Sequence, residues 1–318
     1  MPSSLMLIFM ATFSLETLIA MLQNGFIVAV LGREWVQGCT PSSGDVIVAC
    51  LAASRFCLHG LALLNSFLGF FKFSSKIYYF SIPWDFINTL NFWLTAWLAV
   101  FYCVKISTFS HPTFLWLKWR ISRSVPRLLL GSLIISGVTV ISSATGNSIA
   151  VLRSTSQSSP GNHTLADRIS PFFRHFFLSQ ELLVLLLPFL LFLVSTLLLM
   201  FSLHQHLQQM RAHRPSPHDP STQVHITALK SLSFFFVFYT SYFLSLIIVS
   251  MQITALQHQW HWAWEVVTYA GICLHSSILV LSSPKLRKAL KTIFGKPLTK
   301  DASSQVISIN NQYQWTSP

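Results

Sequence analysis

The sequence predicts an all-α membrane protein: a bundle of seven transmembrane helices, followed by a short amphipathic cytoplasmic helix. Three observations predict this fold class. Of the 318 residues, 52% are hydrophobic and only 9% are charged, whereas soluble domains carry about 25% charged residues. Seven apolar runs are long enough to cross a bilayer, and the basic residues between them are distributed unequally. Lipid is therefore the expected solvent of most side chains.

The seven runs are identified by length and apolar composition, because a spanning helix needs about 20 mostly apolar residues. The second run is the least typical, since it carries Arg55 and His59. The predicted segments are 6–31, 46–71, 82–106, 126–149, 178–203, 227–252 and 263–283.

The distribution of Lys and Arg predicts the orientation of the chain. With the N-terminus outside, 15 of the 21 basic residues fall in inside loops and the tail, five fall outside, and Arg55 lies within a helix. Positive charge accumulates on the cytoplasmic side of membrane proteins, so the net charge of +12 indicates membrane topology rather than nucleic acid binding. We expect a multi-pass plasma-membrane protein with an extracellular N-terminus and a cytoplasmic C-terminus.

A single N-x-[ST] sequon supports this orientation. It begins at Asn162 and falls in the longest predicted outside loop, which would face the lumen during synthesis. Asn162 is therefore the expected glycosylation site.

The chain changes character at Pro284, where the last apolar run gives way to a basic one. The apolar positions beyond it recur with helical spacing, which predicts an amphipathic helix over about 285–295. Those positions are Leu286, Ala289, Leu290, Ile293 and Phe294. Such a helix is expected to lie on the inner membrane surface, attracted by anionic lipids. The predicted organisation is a membrane domain over 1–297 and a flexible cytoplasmic tail over 298–318.

Three charged residues lie within the predicted spans: Glu16, Arg55 and Glu265. A charge in this position costs about 2.5–3.5 kcal/mol on insertion scales, so it usually faces the bundle interior. Arg55 is open to two interpretations: a polar clasp that holds helices together, or a switch between two helix packings. Its candidate partners are Asn24, Ser282 and Ser283.

A candidate binding wall is visible in the first part of segment three. Trp84 and Asn88 are four residues apart and share a helix face. Trp84 alone is equally explained as an interfacial anchor, but an Asn one turn deeper is less easily explained by lipid. Glu265 could supply a strong acceptor, and Tyr239 and Tyr242 could supply hydroxyl groups. A mostly apolar site with a few polar groups suits a small molecule.

Catalysis and metal binding have little support in the sequence. No HExxH, GxSxG, Walker A or paired intramembrane carboxylate pattern occurs. His258 and His261 are expected in a loop beside Trp262 and Trp264, as part of an outer interfacial aromatic anchor, and His204 and His206 at an inner helix end. Neither pair is expected to bind zinc. We expect no enzyme activity, no metal and no cofactor.

Short motifs occur in the order and spacing of one receptor family. They are Leu51-Ala-Ala-Ser-Arg55, Trp93-Leu-Thr-Ala-Trp97, the runs 101–106 and 111–118, Leu187-Pro-Phe189, Ser202-Leu-His204, the runs 219–222, 225–230 and 239–245, His275-Ser276 and 284–287. Over nearly its whole length, the chain resembles the bitter taste receptors (taste receptor type 2).

The resemblance implies a seven-helix receptor that binds bitter small molecules and activates a heterotrimeric G protein of the gustducin type. It implies ligand contacts at Trp84, Asn88, Tyr242 and Glu265, the residues already singled out. The residues implied to face the G protein are Tyr102, Lys105, His204 and Lys230. Those assigned to interior structure or switching are Asn24, Arg55, Tyr239, His275 and Ser276. Membrane lipids are the other expected partner, and nucleic acid is not expected.

The alternative function is a small-molecule membrane transporter. Transporters commonly show internal repeats and helices broken at matching positions. Neither feature is visible in this sequence, where Pro188 has no counterpart and Gly occurs only 12 times.

Overall fold

The structure is a computed structural model that describes residues 4–70, 74–107, 111–156, 165–213, 220–250 and 258–294. Within these ranges the chain forms eight α-helices. They are α1 Ser4–Val36, α2 Ser43–Phe70, α3 Ser74–Ile106, α4 Pro112–Ser156, α5 Leu165–His213, α6 Pro220–Ser250, α7 His258–Ser282 and α8 Pro284–Phe294. The predicted glycosylation site Asn162 and the predicted tail over 298–318 lie outside the described residues.

Seven of these helices are long and apolar enough to cross a membrane, and each overlaps one predicted segment. The predicted fold class is therefore confirmed. The helices extend beyond the apolar runs: α4 begins at Pro112 rather than at 126 and continues through Pro126. Backbone hydrogen bonding continues along a helix whether its side chains meet lipid or water, so apolar composition alone underestimates helix length.

Helix α3 lies at the centre of the bundle. Of its most apolar window, 61% is buried inside the protein, compared with 17% for the corresponding windows of α1 and α4. The lipid-facing sides of α1 and α4 carry large apolar side chains such as Leu22 and Ile141, which are 75% and 66% exposed. Since lipid does not penalise such exposure, α1 and α4 can stand at the periphery while α3 contacts its neighbours on most sides.

Helices α6 and α7 approach each other closely at Gly271. A methyl group on Gly271 would lie 3.1 Å from both the Cβ and the carbonyl oxygen of Phe238. Small residues allow membrane helices to pack with their backbones close together. On its other side α7 meets α1, where the Gln23 side-chain amide donates a hydrogen bond to the Ser277 hydroxyl at 2.9 Å. Helix α7 is therefore held between α6 and α1.

The short helix α8 begins where the sequence predicts. Its N-cap is Ser283, whose carbonyl oxygen accepts from the Arg287 N–H at 2.9 Å and whose hydroxyl accepts from the Leu286 N–H at 3.5 Å. Pro284 takes the first helical position, where its missing N–H has no cost. Leu286 is buried, whereas Ile293 on the same apolar face is 60% exposed. The prediction of a separate amphipathic helix after segment seven is confirmed.

The antiparallel succession of the helices separates two ends of the bundle. At one end α1, α3 and α5 finish and α2, α4 and α6 begin. This end carries exposed cationic side chains, and we call it the basic end. Its exposed cations include Arg33, Lys105, Arg120, Arg123 and Lys230. The opposite end is where α1, α3 and α7 begin and α6 finishes.

Candidate functional site

A buried arginine joins three helices in the middle of the bundle. Arg55 on α2 is fully buried. Its Nε donates to the Asn91 amide oxygen at 3.1 Å and its Nη2 to the Thr95 hydroxyl at 3.4 Å, both on α3. Its Nη1 donates to Nδ1 of His275 and to the Ser276 hydroxyl at 3.4 Å, both on α7. We call these five residues the Arg55 cluster.

The Arg55 cluster extends to α1 through one further hydrogen bond. The Ser276 hydroxyl donates to the Asn24 amide oxygen at 3.1 Å, and Asn24 is fully buried. Of the three candidate partners, Asn24 is therefore reached indirectly, through Ser276. Neither Ser282 nor Ser283 is among the hydrogen-bond partners of Arg55.

The hydrogen-bond partners of Arg55 are all neutral side chains. His275 accepts through Nδ1, so its proton belongs on Nε2, and its ring stacks on Phe235 of α6 with centroids 3.5 Å apart. A buried charge is costly unless hydrogen bonds replace its hydration. Four such bonds do so here, and they tie the guanidinium to two helices at once. The charge is therefore stabilised only when α2, α3 and α7 pack in this arrangement.

Toward the end opposite the basic end, α3 is bonded to α6 and α7 by two side-chain pairs. The Trp84 indole N–H donates to the Tyr269 hydroxyl at 3.0 Å. The Tyr242 hydroxyl donates to the Asn88 amide oxygen at 2.5 Å. Asn88 and Tyr242 are buried, at 3% and 1% exposure, whereas Trp84 is only half-buried. The two pairs place Trp84, Asn88 and Tyr242 on one surface between the helices. We call this surface, together with the neighbouring Glu265, the interhelical wall.

Glu265 lies one helical turn before Tyr269 on α7, and its side chain is half-buried. Because residues four apart share a helix face, Glu265 stands on the side of α7 that faces Trp84. The four predicted ligand-binding residues therefore divide into two kinds. Asn88 and Tyr242 form a closed, buried pair, whereas Trp84 and Glu265 retain accessible surface.

A continuous series of aromatic contacts connects this wall to the Arg55 cluster. Tyr242 stacks on Phe92 at 5.4 Å, Phe92 contacts Tyr239 at 5.3 Å, Tyr239 contacts Phe235 at 5.5 Å, and Phe235 stacks on His275. We call these five residues the aromatic chain. Tyr239 is the middle member of this chain, since its ring contacts both Phe92 and Phe235.

Sequence reasoning missed three polar residues as site residues: Asn91 and Thr95 as partners of Arg55, and Tyr269 as partner of Trp84. A signal for the first two exists. Asn88, Asn91 and Thr95 recur at helical spacing in an otherwise apolar segment, which is typical of an interior polar stripe. Tyr269 carries no comparable signal, because one tyrosine in an apolar run is unremarkable.

Asp85, next to Trp84 on α3, is hydrogen-bonded to α4. Its carboxylate accepts a hydrogen bond from the Ser143 hydroxyl of α4 at 2.5 Å. The carboxylate is thus directed between α3 and α4, and its side chain is half-buried.

The residues implied to face a G protein lie at the basic end. Lys105 on α3, His204 on α5 and Lys230 on α6 are exposed, and Tyr102 on α3 is half-buried. One ring nitrogen of His204 lies 3.0 Å from the Gln208 amide nitrogen on the same helix. These residues present polar groups from three helices to the surface at this end.

Comparison with known proteins identifies the family. The profile of the taste receptor protein (TAS2R) family matches residues 1–297. The chain is 58% identical over 291 residues to taste receptor type 2 member 134 of Rattus norvegicus, covering 92% of this chain and 87% of the relative. It is 57% identical over 305 residues to taste receptor type 2 member 62 of Pan paniscus, covering 96% and 98%.

A solved structure shows the same fold at much lower identity. The crystal structure of squid rhodopsin superposes with a TM-score of 0.56 and 13% sequence identity, covering 93% of this chain and 87% of that one. At this identity the likeness concerns the fold alone, and it agrees with the seven spanning helices. Together with the extent of the family match, these findings show that the chain belongs to the taste receptor (TAS2R) family.

Proposed function

We propose that this taste receptor binds bitter small molecules against α3, α6 and α7, at the end opposite the basic end, and activates a heterotrimeric G protein of the gustducin type. The observation that supports the site most directly is the interhelical wall. It combines a buried, mutually bonded pair, Asn88 with Tyr242, with the accessible side chains of Trp84 and Glu265.

The wall suits a mostly apolar ligand that carries at least one hydrogen-bond donor. The Trp84 indole offers a flat apolar surface, and the Glu265 carboxyl group offers an acceptor. The buried Asn88–Tyr242 pair stiffens the wall because each side chain satisfies the other. A rigid apolar surface with a few fixed polar groups is the usual composition of a small-molecule site.

The aromatic chain offers a physical route from the ligand to the basic end. A ligand that displaces Tyr242 also moves the rings packed against it, as far as His275 and the Arg55 cluster. The guanidinium is satisfied in one packing of α2, α3 and α7, so the bundle resists intermediate arrangements. The ligand shifts the receptor between two packings only by its difference in affinity for them.

The G protein is proposed to dock at the basic end, against Tyr102, Lys105, His204 and Lys230. In the activated packing, α5 and α6 separate at this end and open a cleft between their termini. Exposed cations around the cleft favour an acidic partner surface.

The orientation proposed for the chain places the basic end in the cytoplasm and the N-terminus outside the plasma membrane, with a glycan on Asn162. Epitope tags test this directly. A tag after residue 318 should bind antibody only after cells are permeabilised, and Asn162→Gln should abolish the mobility shift caused by a glycosidase. Staining of the C-terminal tag on intact cells would reverse the assignment of the two faces.

The site assignment is tested with calcium responses in cells that express a coupling G protein. At equal surface expression, Asn88→Leu removes the bond that fixes Tyr242 and should raise the half-maximal agonist concentration about tenfold, which corresponds to about 1.4 kcal/mol of binding free energy. Glu265→Gln should weaken agonists that donate to the carboxylate more than other agonists. The matched control is Asn65→Leu, an exposed position on α2 that should leave responses unchanged. Equal potency of every agonist on all variants would refute the site.

A further inference from the structure

Two histidines meet across the helices at the basic end. His206 lies in the last turns of α5, and His225 lies in the first turns of α6. Their ring centroids are 5.2 Å apart, and the ring planes are inclined by 81°. Both side chains are half-buried. They are therefore close to each other and within reach of small ions from the aqueous side.

This spacing matches that of two imidazoles sharing one metal ion. Zn²⁺ binds imidazole nitrogen at about 2.0–2.1 Å in tetrahedral geometry, which places the centres of two ligand rings about 5 Å apart. We propose that His206 and His225 form a binding site for a transition-metal ion, Zn²⁺ in the first instance, that bridges α5 and α6.

The donor set defines the kind of metal site. Neutral imidazole suits Zn²⁺, Cu²⁺ and Ni²⁺ rather than Mg²⁺ or Ca²⁺. In the described ranges, no group of three or more His, Cys, Asp or Glu side chains converges on one point. Water would complete the coordination shell, so the metal would bind reversibly. A regulatory ion fits this arrangement better than a permanent structural one, because structural zinc sites use four protein ligands.

The neighbouring His204 is excluded from the site by its own contact. It is exposed, and its ring nitrogen lies 3.0 Å from the Gln208 side chain on the same helix. His204 is only two residues from His206, yet the helix directs it to a different face. It therefore supplies a matched control for the loss of one imidazole at this end of the bundle.

A bridging ion would hold the ends of α5 and α6 together. This consequence rests on the proposed function, in which activation separates these two ends. A metal bound only in the closed packing stabilises that packing by mass action. Zn²⁺ should therefore oppose activation without competing for the ligand site at the opposite end.

The metal site is tested by titrating Zn²⁺ into full-length receptor in lipid nanodiscs, without a polyhistidine tag, against a fluorescent zinc indicator. Either His206→Gln or His225→Gln should weaken Zn²⁺ binding at least about tenfold. The double variant should lose less affinity than the sum of the two single losses, because the effects of two ligands of one ion are not additive. His204→Gln should retain the wild-type affinity. The proposal would be overturned by an unchanged Zn²⁺ affinity in both single variants, or by an equally large loss of Zn²⁺ affinity in His204→Gln. His206 and His225 would then make only an edge-to-face ring contact.

Agonist-stimulated nucleotide exchange on washed membranes tests whether a bridging Zn²⁺ ion opposes activation. Zn²⁺ should reduce exchange in the wild type and lose this effect in His225→Gln. Exchange that Zn²⁺ inhibits equally in the wild type and this variant would overturn the bridging role. A receptor without any agonist-stimulated exchange would contradict the proposed function instead, and the nanodisc titration would still report on the metal site.

Discussion

Replacing Asn91 with Leu should destabilise the receptor, because it leaves the charged Arg55 Nε–H group without its acceptor. Asn91 is fully buried, and its amide oxygen accepts from Arg55 Nε at 3.1 Å. Leu has a similar volume, so the packing change is small. The Asn91 amide nitrogen has no hydrogen-bond partner in the described residues, so only the bond to Arg55 is lost.

The expected loss in the free energy of unfolding follows from the positive charge of the Arg55 guanidinium. Hydrogen bonds to charged groups contribute about 1.5–3 kcal/mol, whereas neutral side-chain pairs inside membranes average about 0.6 kcal/mol. Asn91→Leu should therefore cost about 1.5–3 kcal/mol. In a receptor that already carries Arg55→Met, no charged donor loses its acceptor. Asn91→Leu should then cost less than about 0.5 kcal/mol.

A double-mutant cycle measures this difference. Unfolding of the four proteins in mixed detergent micelles with increasing SDS gives the four free energies of unfolding. The expected coupling between Asn91→Leu and Arg55→Met is at least about 1 kcal/mol. Asn65→Leu, on an exposed face of α2, controls for the chemistry of the substitution. If Asn91→Leu cost the same in both backgrounds, the Arg55 cluster would not stabilise the fold as described.

Two further predictions concern the packing of α6. Tyr242→Phe leaves the Asn88 amide oxygen without its donor and should lower the free energy of unfolding by about 0.6–1.7 kcal/mol in the same SDS assay. An equal loss in a receptor that already carries Asn88→Leu would contradict this prediction. Gly271→Ala places a methyl group 3.1 Å from the Phe238 carbonyl oxygen and should lower the thermal unfolding temperature, since overpacking costs about 1–3 kcal/mol. Gly131→Ala, with no atom within 4 Å, should raise it or leave it unchanged; equal shifts for both would refute the close approach.

Arg55 illustrates how much of the interior could be predicted. A charge in an apolar run is conspicuous, and the sequence indicated that it faces the bundle interior. The partners Asn91 and Thr95 lie 36 and 40 residues away on another helix. The rotation of α3 about its axis decides whether they meet the guanidinium. The sequence pattern offered Asn24 as a partner at similar depth, and the packing placed Ser276 between the two.

The histidines at the basic end show the same limit. The pair His204 and His206 attracts attention in the sequence because the two are close along the chain. A helix directs residues two apart to different faces, and the contact instead joins His206 to His225 on the next helix. Proximity along the chain does not reveal this contact, because the packing of α5 against α6 brings together residues that the one-dimensional pattern separates.

The sequence by itself determined the family to which the chain belongs, the number of spanning helices, the break at Pro284 and the burial of Arg55. Lipid imposes these features locally, since each residue in the hydrocarbon has a transfer cost that depends mainly on its own side chain. Only the tertiary structure decided which polar groups pair: Arg55 with Asn91, Trp84 with Tyr269, and Asn88 with Tyr242. Those choices depend on helix rotation and depth, which result from many weak packing contacts acting together rather than from any one residue.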